Sequence, residues 1–179
     1  MRVITGKYRG RHFDVPNNFK ARPTTDFAKE NLFNMLRGYI ELEETEVLDL
    51  FAGTGSISLE FLSRGCNRVV SVEKDSRHFA FIRSVMFALK DQASVLLRMD
   101  ALKYIEKSED SFDLVFADPP YALPELPELP DRVMQSRLLK PGAIFILEHG
   151  KDYDFSQRPD FLTHRAYGSV NFSLFRKGE

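Results

Sequence analysis

Between Val47 and Glu148, short apolar runs alternate with stretches whose apolar residues recur every three or four positions. The runs Val47–Phe51, Arg68–Glu73, Ala93–Met99, Phe112–Ala117 and Ala143–Glu148 predict strands. Helices are predicted over Ser56–Ser63, Asp75–Leu89, Ala101–Lys107 and Arg132–Leu139, with Gly65 stopping the first of them. Pro124, Pro127 and Pro130 make the segment after Tyr121 a loop. This βα alternation implies a parallel sheet with right-handed crossovers and helices on both faces. Two further strands, Phe161–Tyr167 and Val170–Arg176, flank Gly168-Ser169 and read as a hairpin that adds one antiparallel strand.

The first forty residues follow a different pattern. Val3, Ile4, Tyr8, Phe13 and Val15 are strand formers punctuated by Gly6 and Gly10, which predicts a hairpin over Arg2–Val15. Lys7, Arg9 and Arg11 alternate and are expected to share one strand face. A helix follows, capped by Thr24 or Thr25, with Phe27, Leu32, Phe33, Leu36 and Ile40 as its apolar positions and a frayed end at Gly38. The acidic stretch Glu41–Glu46 links it to the first central strand. The division expected is an N-terminal hairpin and helix over residues 1–40 and an α/β domain over residues 41–179.

Composition changes this picture little. The chain has 179 residues, 43% hydrophobic and 28% charged, with a formal net charge of −1, so it has a core of ordinary size and no global polyelectrolyte field. Locally the balance is uneven: six Lys/Arg stand against Asp14 alone between Met1 and Arg22, where an anionic partner is to be sought. The single cysteine, Cys66, excludes an internal disulfide, suits a reducing cytosol and is expected to pack in the core. His12, His78, His149 and His164 show no ligand spacing with it, so no metal is expected. No apolar run has the length of a signal peptide or a membrane span, and a cytoplasmic protein is expected.

Chemistry concentrates where strands end. Val47-Leu48-Asp49-Leu50-Phe51-Ala52-Gly53-Thr54-Gly55-Ser56 reads as strand, glycine turn and helix start, a socket for a ligand at the carboxyl edge of a parallel sheet. Glu73 ends the second strand, and a carboxylate there can accept both hydroxyls of a ribose. Asp100 follows the third strand and has two readings: acceptor from an adenine amino group, or helix cap. Asp49 can reach a ligand ammonium or bond loop amides. A dinucleotide fingerprint would need a third glycine, and a phosphate-gripping loop would need Gly-Lys-Ser/Thr; neither is present. A ribose- and adenine-bearing cofactor without pyrophosphate fits, and S-adenosylmethionine is the obvious candidate.

The fourth strand delivers Asp118-Pro119-Pro120-Tyr121 to the same edge. Two prolines remove two N–H donors, which leaves carbonyl oxygens to face inward. The Asp118 carboxylate and the Pro119 carbonyl can each accept one hydrogen of an exocyclic amine, aiming the nitrogen lone pair at a methyl donor. Tyr121 offers a face on which a base can stack.

Taken together these motifs resemble the class I S-adenosylmethionine-dependent methyltransferases acting on exocyclic amines. More closely, the chain resembles the RsmD family of 16S rRNA (guanine-N2)-methyltransferases. The matching stretches are Arg2–Gly10, Arg22–Asp26, Leu32–Leu36, Val47–Gly55, Leu62–Gly65, Val72–Asp75, Asp118–Tyr121 and the Tyr167-Gly168 hairpin. The resemblance implies a Rossmann-like α/β fold, a mostly parallel twisted sheet with helices on both faces and a C-terminal antiparallel hairpin. It implies S-adenosylmethionine at Gly53, Gly55, Glu73 and Asp100, and catalysis at Asp118, Pro119, Pro120 and Tyr121; Asp49, Phe51, Ala52, Lys74 and Ala101 beside them are further candidate cofactor contacts. Lys7, Arg9, Arg11 and Arg22 are expected to hold phosphates of ribosomal RNA, free or within a partly assembled small subunit, by a monomer. Two departures stand out: Ser56-Ile57-Ser58 after Gly55, where the family has small apolar residues and another glycine, and the short proline-rich loop after Tyr121. An amine methyltransferase acting on DNA or protein, a nicotinamide-dependent dehydrogenase and a non-enzymatic RNA-binding module are the competing readings.

Overall fold

A computed structural model describes all residues, 1–179. Seven strands form one sheet in the order β3-β2-β1-β4-β5-β7-β6. These are β1 (Glu46–Asp49), β2 (Arg68–Val72), β3 (Ser94–Leu97), β4 (Phe112–Ala117), β5 (Leu139–His149), β6 (Phe161–Tyr167) and β7 (Val170–Arg176). The first five are mutually parallel, and β7 pairs antiparallel to both β5 and β6. The direction of the sequence reverses at β1, so the carboxyl ends of β1 and β4 flank a topological switch point.

The helices are α1 (Asp26–Leu36), α2 (Ser56–Ser63), α3 (Ser76–Leu89), α4 (Ala101–Lys107) and α5 (Leu129–Gln135). Two apolar clusters lie against the sheet, one gathering α1, α2 and α3 and the other gathering α4 and α5. The sheet is therefore covered on both faces, as its near-continuous Val/Leu/Ile/Phe strands require. Val3, Leu32, Phe33 and Leu36 belong to the same cluster as Val47, Leu59 and Phe61, so residues 1–40 and the sheet share one core.

Three expectations are corrected. The segment Arg2–Val15 closes as a hairpin only at its base: an antiparallel bridge joins Arg2 to His12, with the Val3 amide on Arg11 O and the Phe13 amide on Met1 O, both at 2.9 Å, while Thr5–Gly10 are bends and turns rather than strand. Gly6 and Gly10 have positive φ, and this curls the chain where an alternating pattern suggested extension. Lys7, Arg9 and Arg11 therefore share no strand face. The last helix starts at Leu129 rather than Arg132 and follows a 3₁₀ turn over Leu126–Glu128. Pro127 and Pro130 sit in the first turns of these two elements, where a missing N–H breaks no intrahelical bond, so they open helix rather than prevent it. Leu139, expected to end that helix, instead opens β5, whose register shifts before Ile144 to accommodate Lys140-Pro141-Gly142. A smaller difference lies in α1: Thr25 is its cap, it ends at Leu36, and Phe27 is 62% exposed.

Candidate active site

One cleft of about 870 Å³ opens over the carboxyl ends of β1, β2 and β4. Asp49, Phe51, Ala52, Gly53, Glu73, Lys74, Asp100 and Ala101 line it, and so do Asp118, Pro119, Pro120 and Tyr121. Two motifs more than sixty residues apart thus meet because β1 and β4 are neighbours, paired from Val47–Leu114 to Asp49–Phe116.

The glycine turn is held by a carboxylate. Glu73 Oε1 accepts the Gly53 amide at 2.8 Å, and its Oε2 accepts the Asp75 amide at 2.8 Å. The side chain is thereby fixed at the end of β2, and each oxygen keeps a lone pair for a ligand. Gly53 has φ +58°, and Gly55, at φ +80°, caps α2 in the left-handed region. Gly55 does not itself line the cleft. A Cβ there would lie 3.1 Å from Ile82 Cγ1, so its smallness serves the fit of α2 against α3.

Asp49 is 1% exposed at the floor. Its Oδ2 accepts the Ser58 hydroxyl at 2.7 Å, and Ser58 Oγ accepts in turn from Ser71 at 2.7 Å. The serine at 58, one of the departures from the expected pattern, is thus the support of the floor carboxylate. Oδ1 of Asp49 has no partner. Burial pushes the Asp49 carboxyl up to about 7, against the pull of the Ser58 hydrogen bond. A buried carboxylate oxygen without a donor, facing a cleft, fits a ligand ammonium. With the Glu73 lone pairs and the open backbone at Gly53, the residues present suit the amino-acid end and the ribose of S-adenosylmethionine.

Asp100 adopts the capping role: Oδ1 accepts the Lys103 amide at 3.2 Å, and Oδ2 lies 3.9 Å from Lys74 Nζ. The residue still borders the cleft.

On the other wall, burial and the adjoining Glu148 carboxyl drive the Asp118 carboxyl well above the usual carboxylate range, and Asp49 adds to the effect. The Tyr121 hydroxyl donates to Glu148 Oε2 at 3.1 Å, and its ring is 45% exposed at the mouth. Glu148 was not anticipated. The available signal was a lone carboxylate closing the apolar run Ala143–Leu147.

The basic residues divide. Arg22 borders the cleft together with Lys20, Ala21 and Thr24, a wall the sequence did not suggest. Its guanidinium donates to the carbonyls of Phe19 at 2.5 Å and Asn17 at 3.0 Å, bracing that wall. His78, also unforeseen, lines the cleft from α3 and lies against Phe19, ring centroids 4.7 Å apart. Lys7 lies elsewhere: its amide donates to Ser63 O beyond the far end of α2, and its ammonium pairs with Asp91 at 2.9 Å. Arg9 and Arg11 are exposed near the same turn and outside the cleft.

A family model described as "Conserved hypothetical protein 95" matches residues 1–176. The chain is 32% identical to the ribosomal RNA small subunit methyltransferase D of Haemophilus influenzae, over 98% of this chain and 93% of that protein. The chain belongs to the RsmD family. The RsmD-family protein of Escherichia coli K12, also named ribosomal RNA small subunit methyltransferase D, is 28% identical over 99% of this chain and 90% of its own length. A solved structure of the Escherichia coli protein yhhF superposes with a TM-score of 0.86 at 26% identity, covering 99% of this chain and 98% of that one. The Rossmann-like arrangement of an RsmD-family methyltransferase is therefore shown by relatives aligned along essentially the whole chain.

Proposed function

We propose that this protein methylates the exocyclic N2 amine of a guanine in 16S ribosomal RNA, with S-adenosylmethionine as donor. The observation that carries this reading is the single cleft in which the Asp49–Gly53–Glu73 wall faces Asp118–Tyr121. Family membership supports the substrate class, since its relatives are named as methyltransferases of small-subunit ribosomal RNA.

Asp49 is assigned the ligand ammonium and Glu73 the ribose hydroxyls; Phe51, Ala52, Lys74, Asp100 and Ala101 complete that wall. When bound, S-adenosylmethionine supplies an electrophilic methyl whose C–S bonding pair stays on sulfur as the N–C bond forms, leaving positive charge and a removable proton on the attacking nitrogen. The chain's own contribution is alignment: the Asp118 carboxyl and the Pro119 carbonyl accept the amine hydrogens, and Tyr121 stacks on the base. Alignment of this kind supplies up to about 7–11 kcal/mol of a barrier. Arg9, Arg11 and Arg22 are assigned to phosphates, by a monomer in the cytoplasm. Lys7 is left out because its ammonium is committed to Asp91.

The test is methyl incorporation into 16S rRNA and into small-subunit particles, with the product nucleotide identified. Asp118→Ala is expected to lower transfer about 100- to 1,000-fold while binding of the demethylated cofactor persists. Unchanged transfer removes Asp118 from catalysis, and methyl transfer to another base or atom refutes the substrate assignment.

A further inference from the structure

At the carboxyl edge of the sheet, β4 and β5 run side by side, with Ala117 paired to Leu147. One residue further along each strand stand two carboxyl groups, Asp118 and Glu148. Glu148 is 7% exposed. Its polar neighbours are both parts of the transfer site: Asp118, one place beyond the Ala117–Leu147 pair, and the Tyr121 hydroxyl at 3.1 Å. Neither partner is a cation. Two ionised carboxylates in so small a buried space repel strongly, and a pair of this kind shares one proton above the usual carboxylate range.

The surroundings leave little else to neutralise the pair. Asp49 on β1 adds a third carboxyl and lies close enough to act on Asp118, and Glu73 in turn acts on Asp49. Phe172 lies across from Glu148 on β7 and is apolar. His149, next on β5, is committed to Ser173 Oγ and the Gly150 carbonyl, both at 2.7 Å. The Tyr121 ring is seated from below as well: a Cβ on Gly150 would lie 3.5 Å from its Cδ2, so the ring rests on the bare backbone just after β5.

We propose that Glu148 is a positioning residue of the transfer site, holding a shared proton against Asp118 on one side and the Tyr121 hydroxyl on the other. This rests on the methyltransferase reading above. In this arrangement the shared proton sits on the Asp118 oxygen that faces Glu148 and can pass across to it, so the Asp118 oxygen bordering the cleft stays an acceptor for a substrate N–H. As the nitrogen–carbon bond forms, the nitrogen turns cationic, and one N–H proton passes to that Asp118 oxygen, its bonding pair staying on nitrogen. The amine product is neutral, and the carboxyl pair goes from one proton to two. Tyr121, half-exposed, connects Glu148 to solvent, through which the extra proton leaves.

Glu148→Gln separates this from simple support of the ring, because the amide carbonyl still accepts the Tyr121 hydroxyl while the shared proton is lost. Carbon-13 NMR of labelled Asp and Glu carboxyls in the protein alone, assigned with Asp118→Asn, is expected to show Asp118 titrating together with a second carboxyl in two separated steps. In Glu148→Gln, Asp118 is expected to titrate in one step, lower by about one pH unit or more. The pH profile of single-turnover methyl transfer should move down with it, at unchanged KM for RNA. Tyr121→Phe should raise KM and leave the Asp118 titration in place.

A single-step Asp118 titration in the wild type, or an Asp118 titration identical in Glu148→Gln, overturns the proposal. The wild-type titration needs no RNA, and its assignment needs only Asp118→Asn. Failure to methylate 16S rRNA would thus sink the substrate reading while the carboxyl pair is still decided on its own.

Discussion

The Ser58 hydroxyl donates to one oxygen of Asp49 at 2.7 Å and leaves the other oxygen of that buried carboxyl without a donor. The sign of the resulting pH dependence follows from linkage. In the folded protein Asp49 keeps its proton up to about pH 7, whereas in the unfolded chain it loses it near the ordinary value of 3.8. Between these values the native state binds more protons, so stability falls as pH rises and levels off above 7. Asp118, shifted the same way, adds to the slope. Asp49→Asn is expected to flatten the fall, by at most about 4 kcal/mol for a shift of this size, in urea unfolding at a series of pH values. Equal slopes in the two proteins would dismiss the assignment. Binding of the demethylated cofactor, which keeps the ammonium, should tighten from pH 6 to pH 8 in the wild type and change little in the variant.

Lys29 is 1% exposed, and its ammonium donates to Arg2 O at 2.6 Å and Ser56 Oγ at 3.0 Å, with Glu60 Oε2 at 3.8 Å. Burial lowers its proton affinity, against the pull of Glu60. Glu60, wholly buried, accepts the amides of Ile4 and Thr5 at 3.0 Å each and pairs with Arg64 at 3.0 Å. Lys29→Met is expected to destabilise the protein by about 3 kcal/mol, because it strands buried acceptors. Lys29→Met with Glu60→Gln should cost less than the sum of the two single changes. Additive losses in denaturant melts would show that the network is not coupled.

Gly6 and Gly10 make a matched pair. Both have positive φ, +97° and +82°. A Cβ on Gly6 would lie 1.9 Å from Ser63 O, whereas one on Gly10 meets nothing within 4 Å. Gly10→Ala should therefore cost about 1 kcal/mol of backbone strain, and Gly6→Ala clearly more, since backbone must move. Equal melting temperatures for the two variants would contradict the close approach of the N-terminal turn to α2.

The phosphate assignment makes a contrast among basic residues. Charge reversal at Arg9 and Arg11 is expected to weaken RNA binding and to lower its salt dependence by about 0.7 in slope per lost phosphate contact. Lys7→Glu should leave RNA binding alone and lower stability, because it faces Asp91 with a like charge. Filter binding across a salt series, alongside thermal melts, checks both. If all three behave alike toward RNA, the division of the basic residues fails.

Local signals explain what the sequence made legible. The bounds of α2, α4, β4 and both hairpin strands agree with the apolar pattern, because each is closed by its own glycine, cap or charge. The meeting of Gly53 with Tyr121 was also legible, since both follow strands of a parallel sheet and ligands collect at that edge. The start of α5 was obscured by reading Pro127 and Pro130 as breakers. The alternation of Lys7, Arg9 and Arg11 imitated a strand while two glycines coiled the chain. Lys29, Glu60 and Glu148 went unread for a different reason. Each draws its role from partners far along the chain, and nothing beside it in sequence reports whether a charged group is buried or with what.

The carboxylate of Glu60 and the hydroxyl of Ser63 hold the turn formed by residues 4 to 8. Synthesis is vectorial, so residues 4 to 8 emerge before the groups that anchor them, and that turn stays loose until α2 has followed it out of the ribosome.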